Sequence, residues 1–462
     1  MTEPTHGRLA RELGLATVAS CPADVHVLML QRFTRLFAYG ASTLILVSYL
    51  ESLGHDRTQS GLFMTLTLVG DIVISFLLTL TADAIGRRTT LAVGAVLMAL
   101  SGLVFALFRN YWVLLAAAVV GVVSPSGNEI GPFRAVEESI LAHLTGFERR
   151  SDVYAWYSLL GTAGTAFGIM ACGWATHALL RAGWEPAEAY RVVFWAYAVL
   201  GVVKLLLALG LSSAVEPDGI SGAREQRPRP RDTEPLLDAH RGSASEDTVR
   251  TKETKTSRFA WMPHVTAESR AVAVTLCLLF GLDAFASGLA PLSWVTFYFR
   301  SRFNIEEGRL GSIFSMTALT SAASVLVASS LSKRLGNVKT MVFTHLPSSV
   351  FLALIPVPSN VSLALTLLAL RACTQSMDVA PRSAFLAAIL LPSERTAVMG
   401  LVNVVKTGAQ SLGPLITGVL ASRDLFWLSF VCAGTLKVCY DLGLLAVFKE
   451  RQRRRARDEE TS

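Results

Sequence analysis

Thr81-Ala82-Asp83-Ala84-Ile85-Gly86-Arg87-Arg88-Thr89-Thr90 lies between two apolar runs, Leu62–Leu80 and Leu91–Phe108. A bilayer core takes about 20 apolar residues of helix to cross, and each run is near that length. The decapeptide therefore reads as a short polar turn between two membrane spans. Gly86 supplies the tight reversal, because a residue without Cβ reaches backbone angles closed to others. Arg87 and Arg88 put the turn on the cytoplasmic side, where basic residues concentrate. Asp83, an acid at a helix end beside two arginines, suits a charge latch.

The composition extends this reading to the whole chain. Of 462 residues, 52% are hydrophobic and 17% charged, and mean hydropathy is +0.46. Repeated apolar runs of about 20 residues imply an all-α membrane protein, since a backbone in lipid must satisfy its own hydrogen bonds. The net charge of +7 sits in loops and tails as orientation signals, so nucleic acid is not an expected partner. Most of Cys21, Cys172, Cys277, Cys373, Cys432 and Cys439 lie in apolar runs. They show no metal-ligand spacing and read as buried thiols. Residues 1–26 lack an apolar signal core, which leaves the first span to act as the insertion signal.

Twelve spans follow. They lie near Val27–Leu50, Gly61–Leu80, Leu91–Phe108, Val113–Leu144, Val153–Leu179, Val192–Leu211, 271–299, 310–331, 340–356, 361–390, 397–421 and 424–448. Span 4 is interrupted by Ser124-Pro125-Ser126-Gly127-Asn128-Glu129. Residues 1–26 and 450–462 read as cytoplasmic tails, and 213–269, rich in Pro, Ser, Arg and Glu, as a flexible cytoplasmic linker. Residues 27–212 and 270–449 are the two halves. Loop charge puts both termini inside. The outer loop before span 8, with Arg300, Arg302 and Arg309, fits that assignment least well.

The halves repeat. Gly61 opens span 2 and Gly311 opens span 8, and 311 − 61 = 250; at the same shift Gly86 meets Gly336 and Thr90 meets Thr340. Asn128-Glu129-Ile130-Gly131-Pro132 matches Met377-Asp378-Val379-Ala380-Pro381 at 249, and Arg150–Gly168 tracks Arg395–Gly413 at 245. Asp83 falls on Lys333, so the second loop has lost its acid and its arginine pair.

The D-x-x-G-R-R pattern at Asp83, Gly86, Arg87 and Arg88, with Thr79 where a leading Gly is usual, resembles the loop between helices 2 and 3 of the major facilitator superfamily. The helix-4 segment Ser124–Phe133 and the helix-10 segment Ser376–Pro381 resemble a fungal and bacterial branch of it. The resemblance covers nearly all of the chain outside tails and linker. It implies two six-helix bundles related by a parallel repeat, with the site between them near mid-membrane. It also implies a gating role for the Asp83–Arg88 loop, which braces the outward-open state by docking on the second bundle.

Charges within the spans need partners or a wet cavity, since each costs about 2.5 kcal/mol or more at the bilayer centre. Asp283 and Lys406 lie halfway along spans 7 and 11, neighbours in the implied arrangement, and are expected to pair. That pair either switches with substrate or proton or is a permanent bridge. Glu129, after the helix-4 break, is the first candidate for a protonatable site, with Asp378 as its repeat mate; alternatively the two acids neutralise Arg134 and Arg382. Arg32 and Arg35 either snorkel to the interface or recognise a carboxylate or phosphate. Asp71 in span 2 pairs with one of them or belongs to the gate. Gly161, Gly164, Gly168 and Gly173 form a small-residue packing stripe on span 5. Asp232-Thr233-Glu234-Pro235-Leu236-Leu237 fits an acidic dileucine sorting pattern, which keeps a vacuolar or endosomal membrane open beside the plasma membrane.

The expected function is secondary active transport by alternating access: proton-coupled efflux of a small organic molecule by a monomer in the lipid bilayer. Two alternatives stay open, an uncoupled facilitator or importer of an anionic metabolite, resting on Arg32 and Arg35, and a non-transporting receptor or scaffold, resting on the linker. No nucleotide-binding loop, metal set or cofactor motif is found, and no nucleophile–base motif marks an enzyme.

Overall fold

A computed structural model describes residues 15–121, 132–146, 149–216, 267–389 and 395–461. Apart from one short 3-10 turn, its elements are α-helices, and among the described residues no strand occurs. Helix α1 (Leu15–Ala19) precedes α2 (Ala23–Ser52), α3 (Arg57–Ile85) and α4 (Arg87–Leu107). Then come α5 (Tyr111–Val120), α6 (Pro132–Leu144), α7 (Arg150–Arg181) and α8 (Pro186–Leu209). The second half holds α9 (Ala267–Leu289), α10 (Leu292–Phe303), α11 (Glu307–Leu335) and α12 (Asn337–Leu354). It closes with α13 (Val361–Thr374), α14 (Val379–Ile389), α15 (Arg395–Ser422) and α16 (Phe426–Thr461). Six stretches, beginning with Ala23–Ser52 and ending with Phe426–Val447, are each long and apolar enough to cross a membrane.

Two spans expected whole are each divided in two with a local cause, and a third contains residues that are not described. Span 4 is α5 plus α6; the intervening Ser124–Glu129 lies outside the described residues. Span 10, expected as one helix, stops at Thr374 and restarts at Val379. Pro381 there has no N–H for the preceding turn, and its ring disfavours helix just upstream. The repeat sets this break against the one in span 4. Span 7, also expected whole, divides into α9 and α10 at Ala290-Pro291, where Pro291 caps α10 with extended backbone (ψ 159°). The termini differ as well: α1 and the start of α2 fall within the expected tail 1–26, and α16 carries its helix on through the basic tail.

At the ends of spans 2 and 8 the paired loops reverse on glycines with positive φ, 98° at Gly86 and 81° at Gly336. An L side chain is strained there. In the first loop Glu216, just past α8, accepts hydrogen bonds from the backbone N–H groups of Arg87 (2.8 Å) and Arg88 (3.1 Å). A carboxylate at a helix N-terminus meets both orphan donors and the positive end of the dipole. The first residues assigned to the linker thus belong to the N-terminal bundle, and Asp24 holds Ser212 there through its N–H (2.9 Å) and hydroxyl (2.6 Å).

The halves meet at the end remote from these basic loops. Two glycine pairs carry the contact. A Cβ at Gly61 would stand 2.5 Å from the Pro414 carbonyl and 3.0 Å from Gly418 Cα, and one at Gly173 2.6 Å from the Glu307 carbonyl and 2.8 Å from Gly311 Cα. The pairs are repeat mates, since 311 − 61 = 250 and 418 − 173 = 245. Around them Arg57 donates to the Ala421 carbonyl (3.0 Å), Thr58 meets Ser422 (2.9 Å) and Trp174 donates to Ser312 (3.0 Å). The apolar core at this end takes residues from both bundles, among them Tyr49, Phe105 and Phe194 from one and Trp294, Tyr298 and Phe430 from the other.

Candidate functional site

Among the described residues, each bundle encloses a cluster of buried charge. In the N-terminal bundle the centre is Glu137 on α6, 0% exposed. It shares the apolar face of Val136, Ile140 and Leu141, because residues three and four apart lie together on a helix. Arg35 from α2 reaches it at 2.8 Å and Lys204 from α8 at 4.0 Å. The Tyr157 hydroxyl on α7 donates to the same carboxylate. Arg32 donates to the Tyr157 hydroxyl at 3.3 Å and lies 4.4 Å above its ring.

Arg32 and Arg35 therefore do not snorkel. Arg32 is 5% exposed, and both guanidinium groups turn inward to the Glu137–Tyr157 pair. The stripe on span 5 explains how Arg32 fits: a Cβ at Gly161 would stand 2.7 Å from its Nε. Gly164 and Gly168 pack on the Phe33 and Phe37 carbonyls, which supports the packing reading of the stripe.

In the C-terminal bundle Asp283 on α9 is the centre. Lys437 on α16 donates to its Oδ1 at 2.7 Å and to Ser287 at 2.8 Å. Arg382 on α14 donates to Oδ2 at 3.2 Å and also pairs with Asp378 one turn back. Its guanidinium carbon sits 5.4 Å from the Phe280 ring and 5.7 Å from the Tyr440 ring. His345 on α12 brings Nε2 to 3.8 Å from Asp283 Oδ1. Its Nδ1 lies 2.9 and 3.0 Å from the two oxygens of Asp441 on α16. Ser349 donates to Asp441 at 3.4 Å.

The expected Asp283–Lys406 pair is not formed. Asp283 takes Lys437 and Arg382 instead, while the Lys406 ammonium rests 5.9 Å from the Phe280 ring centre. Helix phase decides this, because Lys437 on span 12 shares the face of span 7 that carries Asp283. Asp378 does neutralise Arg382, as its alternative reading had it; Arg134 reaches Glu138 at 2.7 Å. Asp71 is buried on span 2. Glu129 lies outside the described residues, and so does the dileucine segment. Of Asp83 only the helical backbone is described; Arg87 and Arg88 expose their amides to Glu216, and the Arg88 guanidinium donates to the Leu209 carbonyl.

The sequence reading gave no role to Glu137, His345, Lys437 or Asp441. Each was legible as an ionisable residue inside an apolar run, and Glu137 also as an acid on the apolar stripe of its helix. Their pairing was not legible, because it depends on the rotation of eight helices. The repeat relates the two centres. Gly40 packs on the Thr165 carbonyl and Gly288 on the Gln410 carbonyl, so 288 − 40 = 248 fixes the register of spans 1 and 7. At that shift Arg35 falls on Asp283, and equivalent positions carry opposite charges.

Two helical bundles built on a parallel repeat, closed at one end and charged within, define a secondary transporter. The chain belongs to the Major Facilitator Superfamily, whose family model matches residues 28–306 and 276–462. It is 35% identical over 431 residues to the uncharacterized membrane protein YJR124C of Saccharomyces cerevisiae, covering 92% of this chain and 94% of that one. It is 21% identical over 262 residues to the quinolone resistance protein NorA of Staphylococcus aureus, 57% of this chain and 56% of that protein. Its fold matches a solved D-xylose-proton symporter with a TM-score of 0.66 at 14% identity, over 91% of this chain and 97% of the symporter.

Proposed function

We propose that the chain moves a small organic molecule outward across its membrane in exchange for protons, with the Asp283 cluster as the coupling site. The observation that carries this reading is the placement of Asp283, Asp378 and Asp441 within hydrogen-bond or ion-pair reach of Arg382, Lys437 and His345. Carboxylates at membrane depth mark proton and substrate paths, and a carboxylate shared by two cations can change partners when a proton or solute arrives. With the basic loops inside, contact at the far end corresponds to the inward-facing state. Cargo would enter from the cytoplasm and leave when the glycine contacts part.

Outward direction is supported by the similarity to a quinolone resistance protein, and proton coupling by the fold shared with a proton symporter. The anion-facilitator reading rested on Arg32 and Arg35; both are engaged with Glu137 and Tyr157, so it has lost its main support.

The test is flux in proteoliposomes under an imposed pH gradient, with a fluoroquinolone, a cationic dye and a dicarboxylate as probes. Wild type is expected to move at least one probe in response to the gradient. Asp283→Asn should lose that response about tenfold or more. Movement of the dicarboxylate that ignores the gradient, and is equal in both proteins, would overturn the reading.

A further inference from the structure

We propose that His345 and Asp441 form a proton-binding dyad, set between spans 9 and 12, that holds the coupling proton for Asp283. The inference rests on the proton-coupled reading above and assigns its proton to particular atoms.

His345 has a carboxylate at each ring nitrogen: Asp441 at 2.9 Å from Nδ1 and Asp283 at 3.8 Å from Nε2. A neutral imidazole carries one N–H. One of the two carboxylates would then face a lone pair. The two carboxylates offer a further proton two places, on an imidazolium that faces both or on one of the carboxyl groups. In either place it is one proton beyond a neutral His345 and two ionised acids.

Asp441 is 0% exposed and Asp283 4%. The described groups facing His345 are Asp441, Lys437 and Tyr440 from α16, Asp283 from α9, and Arg382 with Asp378 from α14. Lys406 on α15 stands behind Phe280. The charged residue of α13, Arg371, forms no ion pair with any of them among the described residues. Three acids thus share the cluster with Arg382 and Lys437, and the Lys406 ammonium is in electrostatic reach of Asp283 and Asp378. An uncompensated charge buried there is costly, so a proton that enters or leaves the cluster must be accompanied by a change of ion pairs.

The dyad's chemistry is a transfer without other reactants. The proton passes from His345 Nε2 to Asp283 Oδ1 once the gap closes to hydrogen-bond length. His345 then keeps its Nδ1–H on Asp441, and protonated Asp283 loses its hold on Lys437 and Arg382. Span 7 is thereby released from spans 10 and 12. Loss of the proton to the cytoplasm restores the negative charge and draws the cations back. Pro347, two residues beyond His345, interrupts the hydrogen bonds of α12 and gives the helix freedom to follow.

The test needs no substrate. The full chain in lipid is titrated while infrared difference spectra follow the imidazole and carboxyl bands. Wild type should show a protonation step in which the imidazole and carboxyl bands change together. His345→Gln should lose that step, and Asp441→Asn should remove its carboxyl component. Ser349→Ala, which loses contacts to the His345 carbonyl (3.0 Å) and to Asp441 (3.4 Å) but none to a ring nitrogen, should keep the step. Spectra of folded His345→Gln that superimpose on wild type would overturn the dyad, as would an Asp441→Asn spectrum that keeps the carboxyl component.

Flux separates this failure from that of the transport reading. If the dyad operates, His345→Gln loses gradient-driven flux about tenfold while exchange without a gradient persists. Wild-type flux that ignores the gradient, with the titration present, counts against proton coupling and leaves the proton site in place. Gradient-driven flux that is unchanged in His345→Gln counts against the dyad alone.

Discussion

The two buried charge clusters solve one problem in opposite ways. In the N-terminal bundle a single described carboxylate, Glu137, is held by Arg35, Lys204 and the Tyr157 hydroxyl. Guanidinium keeps its charge at any physiological pH, so nothing in this set is poised to change. In the C-terminal bundle three carboxylates share Arg382, Lys437 and His345, and an imidazole, unlike a guanidinium, can give up a proton. On the proposed reading, one half is a fixed pillar and the other a switch. The repeat that places Arg35 opposite Asp283 shows how a duplicated scaffold can divide the two tasks.

Breaking the pillar should have the largest effect. Removing one partner of a buried ion pair leaves the other uncompensated, at about 3–5 kcal/mol. Glu137→Gln is therefore expected to abolish well-behaved protein or to lower the unfolding midpoint in detergent sharply. A midpoint equal to wild type would mean that Glu137 is no pillar.

The contact between bundles comes next. At Gly61 an added methyl has only backbone to displace, and overpacking of that kind costs about 1–3 kcal/mol. Gly61→Ala should shift the protein away from far-end closure by about 5- to 150-fold. In a chain keeping Cys172 as its single cysteine, thiol labelling at this buried residue should accelerate accordingly. Gly408→Ala, where a Cβ meets nothing within 4 Å, should leave labelling unchanged.

A double-mutant cycle sharpens the identity of the switch. Asp283→Asn with Lys437→Met should show a coupling of about 0.5–3 kcal/mol in unfolding stability, as contacting residues do. The same cycle with Lys406→Met should give a markedly smaller coupling. Equal coupling in both would return Lys406 to the place the sequence suggested.

The smallest effect lies at the paired loops. Glu216→Ala removes the acceptor for two amides and should cost about 1 kcal/mol, the usual worth of a helix cap. Hydrogen exchange at the Arg87 and Arg88 amides should speed up. The second loop, where α12 begins after Gly336 without a side-chain cap, should be unaffected.

Length and hydropathy of the apolar runs determined the helical membrane fold, because lipid leaves a backbone no alternative. Ordered matches at shifts of 245 to 250 determined the duplication, and the Asp83–Arg88 turn pointed to the family. Asp283 and Asp378 were legible as charges in apolar surroundings, and Arg32 and Arg35 as cations in need of a reason. Only the tertiary structure decided the pairs. A rotation of one residue on a helix moves a side chain by about 100°, so Lys437 and not Lys406 reaches Asp283, and Arg35 finds Glu137 rather than the interface. The break in span 7 was marked only by Pro291 within apolar sequence, that in span 10 by the polar stretch Thr374–Asp378 before Pro381, and the Glu216 cap was hidden by the 128 residues (216 − 88) between it and Arg88. Hydropathy is a property of each residue and survives in the sequence; partnership depends on relative rotation and depth, which arise only when the helices pack.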